Sequence, residues 1–352
     1  MNFKTNILYL YSELVGYQIP VLNEYIHKYQ AEVYVVHWDK KKLKPFTPPQ
    51  TQGINYFKRS EYNKESLWEL CKKINPTIVY VSGWMDKEYL FVCKRLKKLG
   101  IPVVSGFDDM WTGSLRQIIG SLVFPIYFKR YFSHAWVAGM YQFEFAKRLG
   151  FKNNEIIFDL LTANTSKFNS QVNYNSEVQS LNCSFLYVGN FRTVKGVDIL
   201  MKAYNIYREK YKGTWRLVCV GNGELEKCIR DTKGVTLYPF SSEDVLKKIA
   251  SETDVFILPS RHDQWGVVVH EFTSLGMPLL LSEFVGARTT FLIEGYNGYI
   301  FKNNSSEDLA KKMSLISSLS AEQLSNMGDN SRQLASRINI STSAANFMSI
   351  LK

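Results

Sequence analysis

The stretch Asp254–Glu271, DVFILPSRHDQWGVVVHE, contains a strand, a loop and the beginning of a helix. Its first part is an apolar run that ends at Pro259, which is typical of a buried strand in a parallel sheet. Apolar residues resume in helical spacing after Gly266, so a helix is predicted to begin there. Asp263 then lies in the loop at the carboxyl end of the strand, and Glu271 lies about 7 Å along the helix.

This arrangement predicts a binding site for a ligand with more than one kind of group. A helix that begins at the carboxyl end of a strand presents free N–H groups, which bind phosphate. Two carboxylates beside a phosphate would repel it, so Asp263 and Glu271 are expected to bind hydroxyl groups. A ligand with a diphosphate and sugar rings fits both. The alternative is that Glu271 forms a cap or salt bridge within its helix and Asp263 is a turn residue.

The same alternation of strand and helix recurs along the whole chain, which predicts parallel sheets covered by helices on both faces. Predicted strands lie at residues 7–11, 33–38, 78–81, 103–105, 135–137, 185–188, 216–220, 235–238, 255–258, 279–281 and 299–301. Predicted helices lie at residues 19–29, 64–74, 88–99, 115–131, 197–211, 224–231, 242–251 and 267–275. We expect two successive doubly wound, Rossmann-like α/β domains that face each other across a cleft.

The length also favours two domains, because 352 residues exceed one ordinary core. The polar stretch Ala163–Asn182 is predicted to be the linker, and the domains are placed at residues 1–165 and 166–352. The last helix is a candidate to cross back to the first domain.

Composition and charge narrow the class of protein. Residues 1–165 hold 22 Lys and Arg against 14 Asp and Glu, so +8 of the net +11 lies in the first half. The basic runs Lys40–Lys44 and Lys94–Lys98 would suit nucleic acid, an anionic lipid surface or an anionic substrate, or be ordinary solvated lysines. The five cysteines lack C-x-x-C spacing and are expected to be reduced, as in a cytoplasmic protein. No apolar segment is long enough to span a membrane, and the N-terminal run is expected to be a strand, not a secretory signal.

Other motifs exclude several classes of enzyme. The histidines show no metal-binding spacing, so no metal site is predicted. The turn after 217–220 is G-N-G followed by Glu226 where a dinucleotide fingerprint requires glycine, which disfavours a nicotinamide enzyme. Neither a G-x-S-x-G elbow nor a phosphate-binding P-loop is present.

A second candidate phosphate site follows the strand at 185–188, in FLYVGNFRTVKG. Gly189 begins the turn, and the cations Arg192 and Lys195 precede the next helix. Such cations stabilise negative charge on a departing diphosphate. Solvated Lys and Arg side chains are the alternative.

The ordered motifs VGNFRTVKGVDILMKAY, LVCVGNGELE, TDVFILPSRHDQWGVVVHEFTSLGMPLLLSE and GYNGYIF resemble the family 4 glycosyltransferases, which have the GT-B fold. The resemblance implies retaining transfer from a nucleotide-diphosphate sugar (UDP or GDP) without a metal or other cofactor. It implies an acceptor domain first and a donor domain second, with Lys195 and Arg192 assisting the leaving group. Glu271 would hold the ribose hydroxyls, Asp263 would lie near the donor sugar, and Gly266, Val267 and Val268 would meet the diphosphate.

The chain also departs from that family. Asp263 replaces the usual glutamate, and Asn190 follows Gly189 where arginine is common. Asp108 is the nearest match to the histidine that many members carry, and is either an acceptor-binding or base-like carboxylate or a loop acid. Gly16 would let the backbone approach the diphosphate, unless it is a simple turn.

Two features of the first half remain open on sequence grounds. Trp84, at a strand end, would stack on a sugar or pack at the domain edge. The segment Leu115–Arg130 would rest on a membrane surface or form a buried helix interrupted by Pro125.

The sequence therefore predicts a sugar transferase that uses a nucleotide-diphosphate sugar and a carbohydrate or lipid-linked acceptor in surface polysaccharide, lipopolysaccharide or other lipid-linked glycan synthesis. We expect it in the cytoplasm, with the inner face of the membrane as a candidate surface, and we expect no nucleic-acid partner. The alternatives are an epimerase or phosphorylase of the same fold, and a non-catalytic carbohydrate-binding or scaffold protein.

Overall fold

The computed structural model describes residues 5–40, 46–165 and 182–352. The chain divides into two units, Met1–Thr162 with Ile338–Lys352, and Ala163–Arg337. Residues 166–181, which hold most of the predicted linker, and residues 41–45, which hold most of the first basic run, lie outside the described residues.

In the described part of the first unit, the strands are β1 (Asn6–Tyr11), β2 (Glu32–His37), β3 (Ile54–Lys58), β4 (Ile78–Val81), β5 (Val103–Phe107), β6 (His134–Val137) and β7 (Ile156–Ile157). The helices are α1 (Ile19–Tyr29), α2 (Lys64–Ile74), α3 (Lys87–Lys98), α4 (Leu115–Tyr127) and α5 (Met140–Arg148). The strands pair in the order β3-β2-β1-β4-β5-β6-β7, and every pairing is parallel.

Local sequence sets these helix ends. The side chain of Asn63 accepts hydrogen bonds from the amides of Glu65 and Ser66 and begins α2. Asp86 does the same at α3, and its carboxylate also pairs with Arg59 at 2.9 Å. These contacts fix the connections on one side of the sheet.

The first sheet is buried on both faces. One face packs on α2, α3 and the aromatic residues that follow β5 and β6. The other packs on α1 and on the last helix of the chain, α13 (Ile340–Met348), whose Phe347 stacks on Trp136. The last helix of the chain is thus part of the first unit.

In the second unit, the described strands are β8 (Ser184–Val188), β9 (Arg216–Val220), β10 (Val235–Tyr238), β11 (Val255–Leu258), β12 (Leu279–Ser282) and β13 (Gly298–Phe301). The helices are α6 (Val197–Glu209), α7 (Glu226–Arg230), α8 (Glu243–Ser251), α9 (Val267–Ser274), α10 (Arg288–Phe291), α11 (Ser306–Ser317) and α12 (Ala321–Ala335). This sheet is also parallel throughout, in the order β10-β9-β8-β11-β12-β13. Two parallel-sheet, Rossmann-like α/β units are therefore confirmed.

The helix predicted at 115–131 is not a buried helix interrupted by Pro125. It continues through Pro125 to Tyr127, and Phe124 is its buried residue. Among the described residues, no helix combines the length and the apolar character that crossing a bilayer would require.

Candidate functional site

The order of strands places a candidate site in each sheet at the carboxyl ends of the two neighbouring strands where the order reverses. In the second unit the chain proceeds outward from β8 to β10 and then returns to β11 on the other side of β8. The loops that follow β8 and β11 therefore lie side by side where the strand order reverses, and the crevice outside these strand ends is where ligands bind in open α/β sheets. Lys195 follows β8, and Asp263 follows β11.

The structure brings these two residues into direct contact. Lys195 Nζ donates to Asp263 Oδ2 at 2.7 Å, and Ser260 Oγ donates to the same oxygen at 3.3 Å. Asp263 is 9% exposed, and Lys195 retains access to solvent. The described contacts of the Asp263 side chain all involve Oδ2, so Oδ1 is the oxygen that a ligand could reach. Asp263 therefore has side-chain contacts beyond its own turn.

Arg261 braces the loop that carries Lys195. Its guanidinium pairs with both oxygens of Asp198 at 2.6 Å and donates to the Thr193 carbonyl and, at 2.7 Å, to Asn304 Oδ1. The hydrogen bond from Arg261 lowers the pKa of Asp198, so this pair stays charged. The sequence reasoning missed Arg261; its position two residues before Asp263 was the available signal.

Gly196 allows the same loop to approach β11. Its φ is +70°, and a Cβ there would lie 1.9 Å from the carbonyl oxygen of Pro259. No other residue fits without a backbone shift. The glycine therefore sets how closely Lys195 can approach Asp263.

The beginning of α9 is built as the sequence predicts. Gly266 is left-handed, with φ +86°, and precedes Val267 as the N-cap. Val267 and Val268 are partly accessible, and amides of a first helical turn have no partner within the helix. These amides are available to an anion.

Glu271 lies further along α9 and is partly buried. Burial, and secondly the negative charge of Glu243, raises the pKa of Glu271 to about 7. The described contacts include no salt bridge or hydrogen bond of its carboxylate, so the alternative of a helix-internal salt bridge is not supported. A carboxyl group whose ionised form is disfavoured by its surroundings is a candidate ligand-binding group.

The remaining predicted residues of this unit lie in the turn after β8. Gly189 and Asn190 follow the strand directly, and the Asn190 carbonyl accepts a hydrogen bond from Tyr187 Oη at 2.9 Å. Arg192 is exposed, and no described ion pair involves it. It is free to bind an anion.

The first unit has a cavity at the equivalent position. Its sheet changes direction between β1 and β4, and a cavity of about 310 Å³ opens there. The residues that line it are Tyr11, Ser12, Glu13, Val15, Tyr17, Tyr80, Ser82, Gly106, Asp108, Leu160 and Leu161. This set contains two carboxylates and no cation.

Asp108 enters the cavity from the end of β5. Burial, and secondly the charge of Asp109, raises its pKa above the usual range. Burial also raises the pKa of Tyr17 to about 12 and raises the pKa of Tyr11, so these phenols remain neutral. The cavity thus offers hydroxyl and carboxyl groups between aromatic rings.

Gly16 and Trp84 are the two other residues of the first unit that the sequence singles out. Gly16 begins a short turn after β1, and a Cβ there would make only ordinary contact with Phe46, 3.5 Å away. Packing therefore does not require this glycine. Trp84 packs against Phe107 and Phe124, with ring centroids 5.5 and 5.1 Å apart, which supports the packing interpretation over sugar stacking.

His270 has a structural role. Its Nδ1 accepts from the amide of Ala163 at 3.0 Å, and its Nε2 lies 3.0 Å from the carbonyl of Ala335. Its ring stacks on Phe291. Within the described ranges, no group of three or more His, Cys, Asp and Glu side chains could hold a metal ion.

The fold places the chain in a class of proteins with two Rossmann-like, parallel α/β units. Its structure resembles that of Anabaena HepE, solved in complex with UDP, with a TM-score of 0.72 and 14% identity over 99% of both chains. This likeness shows the GT-B fold of glycosyltransferases. Residues 182–334 match the family model of glycosyl transferases group 1. The second unit is therefore similar to the glycosyl transferases of group 1.

Curated relatives agree with this family. An uncharacterized glycosyltransferase of Methanocaldococcus jannaschii is 26% identical over 43% of this chain and 43% of its own. The O-antigen biosynthesis glycosyltransferase WclY of Escherichia coli is 23% identical over 76% of both chains. The chain spans only 32% to 52% of the length of three of its curated relatives.

Proposed function

We propose that this protein is a retaining glycosyltransferase that moves a sugar from a nucleotide-diphosphate sugar to an acceptor hydroxyl. The observation that carries the proposal is the site between β8 and β11. There a lysine–carboxylate pair, open helix amides and a partly buried glutamate surround one crevice. The UDP complex of HepE and the group 1 match support a nucleotide-sugar donor.

The chemical groups of the nucleotide-sugar donor bind at different positions in this crevice according to their charge. The diphosphate binds the amides of Val267 and Val268 beside Gly266, because a helix N-terminus carries partial positive charge. Glu271, when ionised, accepts hydrogen bonds from the two ribose hydroxyls. Gly189 and Asn190 bring backbone groups to the same ligand.

Lys195 and Arg192 stabilise the charge that develops on the leaving group. The bond from the anomeric carbon to the diphosphate oxygen breaks, and the electron pair leaves with the nucleoside diphosphate. The acceptor oxygen then bonds to the anomeric carbon on the same face, and its proton passes to the departing diphosphate. Asp263 holds Lys195 through Oδ2 and directs Oδ1 to a sugar hydroxyl.

The acceptor binds in the cavity of the first unit. Glu13 and Asp108 bind hydroxyl groups and would repel a phosphate or carboxylate, while tyrosine rings pack on sugar faces. The acceptor terminus is therefore a neutral sugar, on a carbohydrate or lipid-linked glycan of a surface polysaccharide or lipopolysaccharide. The reaction needs neither a metal nor another cofactor, and it takes place in the cytoplasm at the inner face of the membrane.

The test is nucleoside diphosphate release from a panel of UDP- and GDP-sugars with neutral glycan acceptors. Release should depend on a donor, and Lys195→Ala should slow it by about a hundredfold or more. Lys202→Ala, an exposed lysine on α6, is the matched control and should retain the wild-type rate.

Each alternative activity has its own signature in this assay. An epimerase would change the donor sugar without releasing nucleotide, and a phosphorylase would require inorganic phosphate. Equal rates for wild type and Lys195→Ala would exclude the proposed leaving-group role, and no release with any donor would support a non-catalytic protein.

A further inference from the structure

Helix α4 turns its apolar face to solvent. Seven of its residues are large, apolar and exposed: Leu115, Ile118, Ile119, Leu122, Val123, Ile126 and Tyr127. They recur every three or four positions, which places them along one side of the helix. We refer to these seven residues as the α4 stripe. In a soluble domain such a stripe normally faces the core.

The orientation of the stripe is fixed by its opposite side. Phe124 is 3% exposed and lies in an aromatic cluster with Trp84, Phe128 and Phe132. Pro125 packs against Gly150, where a Cβ would lie 3.2 Å from its ring. Because these contacts hold the helix by the other face, the α4 stripe is not a core face that failed to pack.

The exposure is also large. Leu115, Leu122 and Ile126 are 78%, 70% and 71% exposed. Single exposed apolar side chains are common, but a continuous patch of this kind marks an interaction surface.

The charge around the stripe identifies its partner. The sequence has no Asp or Glu between Asp109 and Glu144, while Arg116, Lys129 and Arg130 lie within or directly after α4. Arg116 and Arg130 are exposed, and neither pairs with a carboxylate among the described residues. Lys129 pairs with Glu155 at 2.7 Å, so Arg116 and Arg130 are the cations that the stripe can offer to a partner. An apolar stripe flanked by two such cations matches a bilayer surface with anionic headgroups.

We propose that α4 lies in the plane of an anionic lipid bilayer, with the α4 stripe at the boundary of the acyl chains and Arg116 and Arg130 at lipid phosphates. Its 13 residues form a helix of about 20 Å, which suits a surface position and is too short to span. Six residues lie between Asp108 and Leu115, so seven Cα–Cα steps place the start of the helix within about 25 Å of the acceptor cavity. This docking does not depend on the proposed sugar transfer.

The test is co-sedimentation of the full chain with vesicles. Wild type should bind vesicles of phosphatidylcholine and phosphatidylglycerol and should not bind vesicles of phosphatidylcholine alone. The double variant Ile119→Ser/Leu122→Ser should weaken binding about a hundredfold, since each side chain contributes about tenfold. Arg116→Gln/Arg130→Gln should weaken it about thirtyfold, and added salt should reduce this difference.

Controls separate docking from folding and from donor binding. Leu315→Ser removes a side chain that is 42% exposed on α11 in the second unit, and it should bind vesicles as wild type does. All variants should keep the wild-type melting temperature and nucleotide affinity, because the substituted side chains are exposed and none belongs to the proposed donor site.

Three results would overturn the proposal. Wild type could fail to bind anionic vesicles, or the Ile119→Ser/Leu122→Ser variant could bind them as tightly as wild type. The third is a wild-type dimer in solution that this variant converts to a monomer, which would make the α4 stripe an interface between copies of the chain.

Discussion

Replacing Glu271 by Gln should stabilise the free protein and weaken its binding of nucleotide. The raised pKa means that the fold favours the protonated carboxyl, because burial and the nearby Glu243 disfavour the charge. Glutamine has nearly the same shape as the protonated form and cannot ionise. The variant therefore removes the cost of a partly buried charge.

The magnitude follows from the pKa. The ordinary value is 4.5, and the value in the folded protein is about 7. Between these pH values the folded state binds a proton that the unfolded state has lost. The free energy of unfolding therefore falls by about 1.4 kcal/mol for each unit by which the pH rises. The full cost is about 3 kcal/mol above pH 7, and it vanishes below pH 4.5.

The assay is denaturant unfolding of wild type and Glu271→Gln across this pH range. The variant should match wild type at pH 4.5 and exceed it by about 3 kcal/mol at pH 8. Glu252→Gln, at an exposed position of the same unit, is the control and should show no such trend. A stability difference that is independent of pH, or that favours wild type at pH 8, would refute the reasoning.

The same substitution should reduce affinity for a nucleoside diphosphate by about tenfold or more, because hydrogen bonds from ribose hydroxyls to a charged acceptor are lost. Wild-type affinity should rise as pH increases through about 7, since only the ionised carboxylate accepts both bonds, and the variant should lose this dependence.

Three further outcomes are expected. Gly196→Ala should destabilise the protein by more than about 2 kcal/mol in denaturant unfolding, whereas Gly120→Ala, in open space on α4, should not destabilise it; equal effects would contradict the close approach to Pro259. Arg261→Lys should lower kcat by about tenfold with little change in KM, since it loosens the Lys195 loop while keeping the charge; unchanged kinetics would show that the brace is dispensable. Transfer should continue at the same rate in EDTA, and loss of activity that Mg²⁺ or Mn²⁺ restores would contradict metal independence.

Most of the fold follows from the sequence because parallel strands are buried on both faces and therefore appear as short apolar runs. The helices at 19–29 and 64–74 and the strand at 78–81 have the predicted bounds. Strand β3, INYFK, was missed because it lies at the sheet edge and is only partly buried. The orientation of α4 was also beyond the sequence, since a periodic apolar stripe gives no indication of whether core or solvent lies against it.

The candidate site was predictable in its residues more than in its contacts. Residues at the carboxyl ends of parallel strands converge, so Lys195, Asp263, Gly266 and Glu271 could be placed at one sheet edge from their positions. The direct pairing of Lys195 with Asp263 was not predicted, because it depends on how closely Gly196 lets the loop approach β11. The brace by Arg261 depends on contacts 63 residues apart in sequence.

The most direct test of the central claim is titration of the protein with UDP, GDP and their sugars. Binding is measured by the heat released and by the shift in thermal unfolding. The proposal predicts that at least one nucleoside diphosphate binds, adds about 2.7 kcal/mol of stability at 100 times its dissociation constant, and binds Glu271→Gln at least tenfold more weakly. If none of these compounds binds at millimolar concentration, or if Glu271→Gln binds as wild type does, the β8–β11 crevice is not the donor site.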